Sequence, residues 1–365
     1  MKDPRKFLKP STVNEILQDR AIRHAVYLVR VAGGEAKWFR DQLPGFRRRI
    51  TEELAPFIAR MDISGVVNNQ LLFEEASQKA ARVSQEFFED IYQKQKERAV
   101  EIAVAESGFE ARVLDDTLPI RTNFKHPSNI LIEAMITSNP LDGKTMNEWF
   151  KDIPQTVQTQ VNREITEGVL NGESQNKIMR RVRGTREAGF KDGIIGRAGR
   201  TAENLVRTGA MKASNVGREA FFQENSEVIK NYSWVLTLDS RTCTICVQGA
   251  SDNPYPVGSP PQVPAHILCR CIFVAITKSW EELGIDLDEM EPGTRTAVVN
   301  GMRGEVPDTV TYQDWFEMQN TEFQADILGP SRFNAYEKGS KITDFVDNGK
   351  ILSIEELKLR GLDFS

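Results

Sequence analysis

All four cysteines of this 365-residue chain, and one of its three histidines, fall in one stretch, residues 243–271, CTICVQGASDNPYPVGSPPQVPAHILCRC. The pattern is C-x-x-C, a proline-laden loop of 19 residues, then H-x-x-C-x-C. Five soft or borderline donors this close in sequence constrain the fold, because tetrahedral zinc takes four ligands from thiolate and imidazole. A tight C-x-x-C turn aims two sulfurs at one point, and His266 and Cys269 repeat the spacing of Cys243 and Cys246. The favoured set is therefore Cys243, Cys246, His266 and Cys269. Cys271 is then a spare donor, or it replaces His266 in a four-cysteine site; the spacing leaves that choice open.

The flanks say where these half-sites meet. YSWVLTLD (232–239) alternates and is rich in β-formers, and CIFVAIT (271–277) is a second β-rich run. If the two strands pair antiparallel, both half-sites lie at the same end of a hairpin. The loop between them carries Pro254, Pro256, Pro260, Pro261 and Pro264, so it is expected to make no regular ladder. A metal at its base closes it at modest cost, since closure entropy grows only logarithmically with length. Asp239, Arg241 and Arg270 flank the ligands and are candidate outer partners.

Compartment and order of ligands narrow the chemistry. MKDPRKFLKP has no apolar core behind its charges, so no secretory signal is expected, and a reducing cytoplasm favours metal-bound thiolates over disulfides. No apolar run approaches the length of a membrane span. A closed four-ligand zinc has no open position for water and acts as a clip on the fold. A zinc deaminase shows H-x-E upstream of P-C-x-x-C; here the order is reversed and no glutamate neighbours His266. His24 and His126 read as packed or solvated side chains, and no Walker A, G-x-G-x-x-G or G-x-S-x-G motif is present.

The remainder of the chain is mostly helical. Thr12 and Glu15 offer a capping box, and Ile16, Leu17, Ile22, Val26 and Val29 follow at helical spacing. Gly33-Gly34 and Pro44-Gly45 are expected to break that run. A long polar helix over about 69–107 suggests an arm or a helical hairpin. Short helices are expected at NILIEAMI and QNKIMRRVRG, and one helix ending at Asn171-Gly172. The helix that follows has a small-residue face (Ala198, Ala202, Gly209, Ala213, Gly217) that lets another backbone come close. Near the end, YQDWFEMQNTEFQADIL is amphipathic and stops at Gly329-Pro330. Asn348-Gly349 marks a hairpin, and Ser353 with Glu356 forms a second capping box. The fold class is α+β and mostly helical: a long N-terminal helical region, then a small α+β domain with a zinc-clipped β-hairpin. The divisions expected are an N-terminal arm or docking region 1–144, a helical lead-in 145–230 and the clipped domain 231–365.

Charge is uneven. Lys177 to Arg218 holds 11 basic and three acidic residues, whereas 281–365 holds eight basic and 18 acidic, within a chain of net charge −5. The basic stretch is either a solvated helix face or a surface that meets phosphates.

The motif W-x4-D-x-R-T-C-x-x-C from Trp234 to Cys246, with P-A-H-x-x-C-R-C from Pro264 to Cys271, resembles the signature of the phage Mu F-like head-morphogenesis proteins, also called minor head or minor capsid proteins. LNGESQNKIMRRVRG and GRAGRTAENLVRTGAMKASNVGREA resemble that family's helical lead-in, and the tail through GKILSIEEL resembles its closing segment. Many members carry a Thr-Glu pair where this chain has Thr208-Gly209. The likeness covers about residues 145–360. It implies a non-enzymatic virion protein in few copies, at the portal vertex inside the phage head, assisting head morphogenesis and DNA packaging or ejection. Expected partners are the portal and other head proteins (capsid or scaffold), with the basic region Lys177 to Arg218 touching packaged DNA and no membrane involved. The expected location is the virion interior, and the host cytoplasm during assembly. Some relatives bear C-terminal toxin domains, for which Ser365 leaves no room. Alternatives from other classes are a zinc-ribbon DNA-binding or nuclease module, or an internal protein ejected into the host.

Overall fold

A computed structural model of the chain describes residues 13–61, 66–118, 122–238, 241–284, 294–299, 302–307, 310–347 and 350–364. Two long helices open it: α1 (Val13–Arg60) and α2 (Val66–Thr117). α1 runs straight through Gly33-Gly34 and Pro44-Gly45, where breaks are expected from sequence. Each glycine costs about 1 kcal/mol against alanine, but Leu28, Ala32, Ala36, Phe39, Phe46, Ile50 and Leu54 all bury on one face of the helix. Pro44 is exposed, so the Arg40 carbonyl it leaves without a donor remains within reach of solvent. Thr12 of the anticipated cap lies outside the described residues.

The helices α3 (Asn129–Ser138), α4 (Met146–Leu170), α5 (Gln175–Arg183) and α6 (Ile194–Glu224) follow. α4 begins at a capping box in which the Glu148 amide donates to Thr145 Oγ1 and the Thr145 amide donates to Glu148 Oε2. α6 is the central helix. Its first half packs with the second half of α1, the first half of α2, and α4 and α5 around Phe39, Phe88, Phe150, Val161 and Leu205. Its second half packs with the other ends of α1 and α2 against the β-sheet. A Cβ built on Gly217 would lie 2.2 Å from the Ala103 carbonyl oxygen of α2, so here the small-residue face does admit another backbone. Gly217→Ala is expected to push the two helices apart and cost about 2 kcal/mol in a urea titration. Lys212, also on α6, donates to the Ile136 and Asn139 carbonyls at the end of α3, and burial pushes its amine down to about 8.

The sheet has the order β2-β1-β3, built from β1 (Ile229–Val235), β2 (Tyr255–Pro256) and β3 (Ile272–Thr277). β1 and β3 are antiparallel, in a register that sets Val235 opposite Ile272. Among the described residues β3 has no strand on its outer edge, and helix side chains occupy that edge. Asn215 of α6 accepts from the Phe273 amide (2.9 Å) and donates to the Cys271 carbonyl (3.0 Å). Arg218 donates to the Phe273 carbonyl (2.7 Å), and Asn14 of α1 accepts from the Thr277 amide (3.0 Å). An edge strand so satisfied presents no template for another chain.

Arg218 is fully buried, and Glu106 and Glu110 of α2 flank it. Glu106 Oε1 accepts from Arg218 Nε at 2.8 Å, and its other oxygen meets His24 Nε2 at 2.8 Å. His24 lies flat on Phe109, 3.6 Å between ring centres, so it is a packed, bonded side chain of the interior. His126 is exposed.

The chain closes with the hairpin β4 (Thr294–Val299) and β5 (Met302–Pro307), which the sequence patterns did not suggest, and with α8 (Tyr312–Glu317), α9 (Thr321–Glu337), β6 (Val346–Asp347), β7 (Lys350–Ile351) and α10 (Ile354–Leu359). The amphipathic run expected as one helix is two, because Asn320 caps α9 by accepting from the Phe323 amide (2.9 Å). Gly329, with φ 72° and ψ 161°, interrupts the helical backbone of α9, so the amphipathic run stops at Gly329-Pro330 as expected and a second helical segment starts at Pro330. β6 and β7 pair antiparallel as a hairpin demands, although Asn348 and Gly349 themselves lie outside the described residues. Ser353 and Glu356 form the second capping box. Among the described residues, no helix is long and apolar enough to cross a membrane. The fold is α+β and mostly helical, with the cysteine cluster beside its small sheet.

Candidate metal centre

The register of β1 and β3 brings both halves of the cysteine stretch to one end of the sheet. The loop between them is more ordered than its prolines suggest. Its first part is a helix, α7 (Thr244–Ser251), with Cys243 as N-cap and its sulfur accepting from the Cys246 amide at 3.5 Å. That turn places both sulfurs on the same side. Gly249 of α7 lies where a Cβ would strike the Trp234 ring at 2.2 Å, so the helix packs directly on the indole. Asn253 then pairs with the Trp234 backbone as a strand would, accepting from its amide (2.6 Å) and donating to its carbonyl (3.0 Å). The short strand β2 continues along β1.

The second half-site is held from α6. The Cys269 amide donates to the His266 carbonyl (3.1 Å), closing a turn in which Leu268 has φ 66°, a conformation that non-glycine residues seldom adopt. The Leu268 amide donates to Thr208 Oγ1 at 2.8 Å, and that hydroxyl donates in turn to the Asn204 carbonyl at 2.7 Å. Thr208 thus links the central helix to the ligand turn. Cys271 immediately precedes β3, and Asn215 fixes its carbonyl.

All five donors converge around Cys246. Cys243, Cys246 and His266 form one group with ligand atoms within 4.8 Å of one another, and Cys246, Cys269 and Cys271 form a second. His266 Nε2 lies 2.9 Å from the Cys243 sulfur and 3.4 Å from that of Cys246, and the Cys246 and Cys269 sulfurs are 3.6 Å apart. Tetrahedral zinc with bonds of about 2.3 Å sets its sulfurs roughly 3.7 Å apart, which the Cys246–Cys269 separation matches, and each group of three could hold a metal ion. Cys246, Cys269 and Cys271 are buried and Cys243 is half-buried.

The protonation of the cluster points the same way. Hydrogen bonding from Cys246, joined by His266, draws the Cys243 thiol down to about 4. The Cys243 sulfur in turn lifts His266 to about 9. Cys269 is held well below its ordinary value by hydrogen bonds from Cys246 and Cys271, whereas Cys246 is pushed up as it donates to Cys243 and Cys269. A divalent cation bound here would displace the protons that Cys246, Cys271 and His266 hold. The other ring nitrogen, Nδ1, donates to the Ile267 carbonyl at 2.8 Å, so the proton that a metal would displace is the one on Nε2, which faces the sulfurs. Against the pull of a hydrogen bond with Cys246, the bond with Cys269 and burial push the Cys271 thiol well above its ordinary value, and the buried Trp234 indole N–H offsets only part of this.

Sequence reasoning brought the five donors together but not their supports. Asp239 lies outside the described residues, and Arg241 is exposed. The supporting groups are Thr208, Asn215, Trp234 and the Ile267 carbonyl. Trp234 was visible as the first residue of the W-x4-D motif; Thr208 and Asn215 act across 60 and 56 residues, and no local pattern marks them.

Residues 159–274, from within α4 to β3, match the family described as phage Mu protein F like protein. That is the family the motifs of this stretch resemble. No curated protein and no solved structure matches the chain.

Proposed function

We propose, from the match of residues 159–274 to the phage Mu protein F like family, that this chain is a structural minor head protein of head morphogenesis, present in few copies at the portal vertex inside the capsid. It is not an enzyme in this reading. Its cysteine cluster holds one zinc ion that cross-links the ends of β1 and β3 and the start of α7. The observation that carries this is the closed donor set. Four other donors surround Cys246, three of the four sulfurs are buried, and each half-site is braced from behind by α6 or by Trp234. Such a site suits a clip on the fold better than a centre that must admit water and substrate. Cys243, Cys246, His266 and Cys269 are the ligands, with the His266 tautomer preset by Ile267. Cys271 is the fifth donor, kept beneath Trp234.

The α1–α2 pair is the docking region for portal or scaffold, and the clipped domain faces the head interior, where it contacts DNA during packaging or ejection. Quantitative mass spectrometry of heads assembled with and without portal protein tests this placement. The chain is expected in few copies per portal-containing head and to be missing from portal-less heads. Equal incorporation in both would remove the portal assignment. Cleavage of duplex DNA by the purified chain with magnesium, lost in no contaminant control, would replace it with a nuclease.

A further inference from the structure

The excess of basic residues between Lys177 and Arg218 is largely spent inside the fold. Lys177 and Arg181 pair with Glu173, Arg207 with Glu203, and Arg218 with Glu106. Arg197 donates to the Asp192 carbonyl and Arg200 to that of Lys191, while Lys212 is buried against α3. Among the described residues, Arg180, Arg183 and Arg186, at the end of α5 and in the loop beyond it, have no carboxylate partner. They line a groove of about 550 Å³ whose opposite wall is α1, and there they meet Arg47 and Arg48, which also lack one.

The groove is built for anions in several respects. Arg48, Arg180 and Arg186 are exposed, and the Arg183 Nε is buried without an acceptor. Arg47 lies over the Phe190 ring at 3.8 Å, which fixes its guanidinium and covers the one aromatic face present. Glu52 and Glu187 also line the groove, leaving a net charge of +3 from the seven ionised side chains. All five cations are arginine, whose planar fork matches a phosphate bidentately where lysine offers a point charge. With Phe190 occupied, nothing remains to stack a base or anchor an apolar side chain of a protein partner.

We infer that this groove, formed jointly by α1 and the segment from Arg180 to Phe190, binds the sugar–phosphate backbone of double-stranded DNA without reading its sequence. The inference rests on the proposal that the chain contacts DNA inside the head, and it relocates that contact. The surface is five arginines from two distant segments, not the basic stretch as a whole.

The test titrates a fluorescent 30-base-pair duplex with the full chain between 50 and 200 mM salt. Five phosphate contacts give log Kobs against log salt a slope of about −4.5. The variant Arg48→Gln/Arg180→Gln/Arg186→Gln should bind at least about tenfold more weakly at 100 mM salt, with the slope reduced by about three. A control, Arg23→Gln/Arg82→Gln/Arg163→Gln, removes the same charge from exposed, ion-paired positions and should bind as wild type does. The single variant Arg186→Glu, on an exposed loop, should show the same loss if the triple variant does not fold. Wild type that fails to bind duplex at 50 mM salt overturns the DNA-contact reading and the groove with it. Binding that survives the groove variants, or falls equally in the control, overturns the groove and leaves that reading standing. Competition by polyglutamate as strong per charge as by duplex assigns the groove to an acidic protein and overturns the inference.

Discussion

Cys246→Ser is expected to strip the chain of its metal and to unfold the sheet while leaving the distal helices folded. Cys246 is the one donor common to both groups of ligand atoms, so no rearrangement of the other four restores a complete site. Structural zinc contributes apparent binding free energies of roughly 10–16 kcal/mol in small zinc domains, as large as the whole stability of a typical domain. The core around Phe39, Phe150 and Val161 contains none of the cluster. Hydrogen exchange should therefore show lost protection over residues 229–277 and retained protection in α4 and α5.

Arg218→Met should produce the second large effect. It removes the guanidinium shared by two buried carboxylates and leaves the Phe273 carbonyl without that donor. Breaking a buried pair from one side costs about 3–5 kcal/mol, because the remaining charge is uncompensated. Urea titration should register this loss. Replacing Glu106 and Glu110 with glutamine as well should return part of it.

The pH dependence has a definite sign. Burial, against the pull of Arg218, pushes the Glu110 carboxyl up to about 7. The reason lies in the geometry: Arg218 Nη1 stands 3.0 Å from Glu110 but directs its hydrogen bond to Phe273. A carboxyl raised in the folded state stabilises the fold at low pH, and that contribution is lost as pH rises through about 7. The deficit of Arg218→Met should thus grow between pH 5.5 and 8.5. Glu106, held low by Arg218 and His24 despite its burial, has the opposite sense and contributes above the ordinary carboxylate range.

What could be read in the sequence was what acts locally. The capping box at Ser353 lies within four residues and forms; the other anticipated cap, Thr12, lies outside the described residues. The β-rich runs flanking the cysteines became β1 and β3, and the family likeness was carried by residues close to them. What escaped depends on contacts made at a distance. Gly33-Gly34 and Pro44-Gly45 are strong breakers in isolation, but burial of one face of α1 against α2 and α6 outweighs them. The order inside the proline-laden loop comes from Asn253 pairing with Trp234 and from Gly249 under the indole, neither of which has a local signature. The basic run from Lys177 to Arg218 illustrates the same limit. Its charge was plain, but which arginines remain unpaired depends on Glu106, Glu164 and Glu173, and the groove needs Arg47 and Arg48 from the far end of the chain.

Metal content of the purified chain, by inductively coupled plasma mass spectrometry, tests the clip most directly. Wild type and Cys271→Ser should carry about one zinc per chain, as a single four-ligand site requires. His266→Ala should carry substantially less, and Cys246→Ser essentially none. A wild-type chain that is free of metal, and melts at the same temperature with and without chelator, would contradict the account.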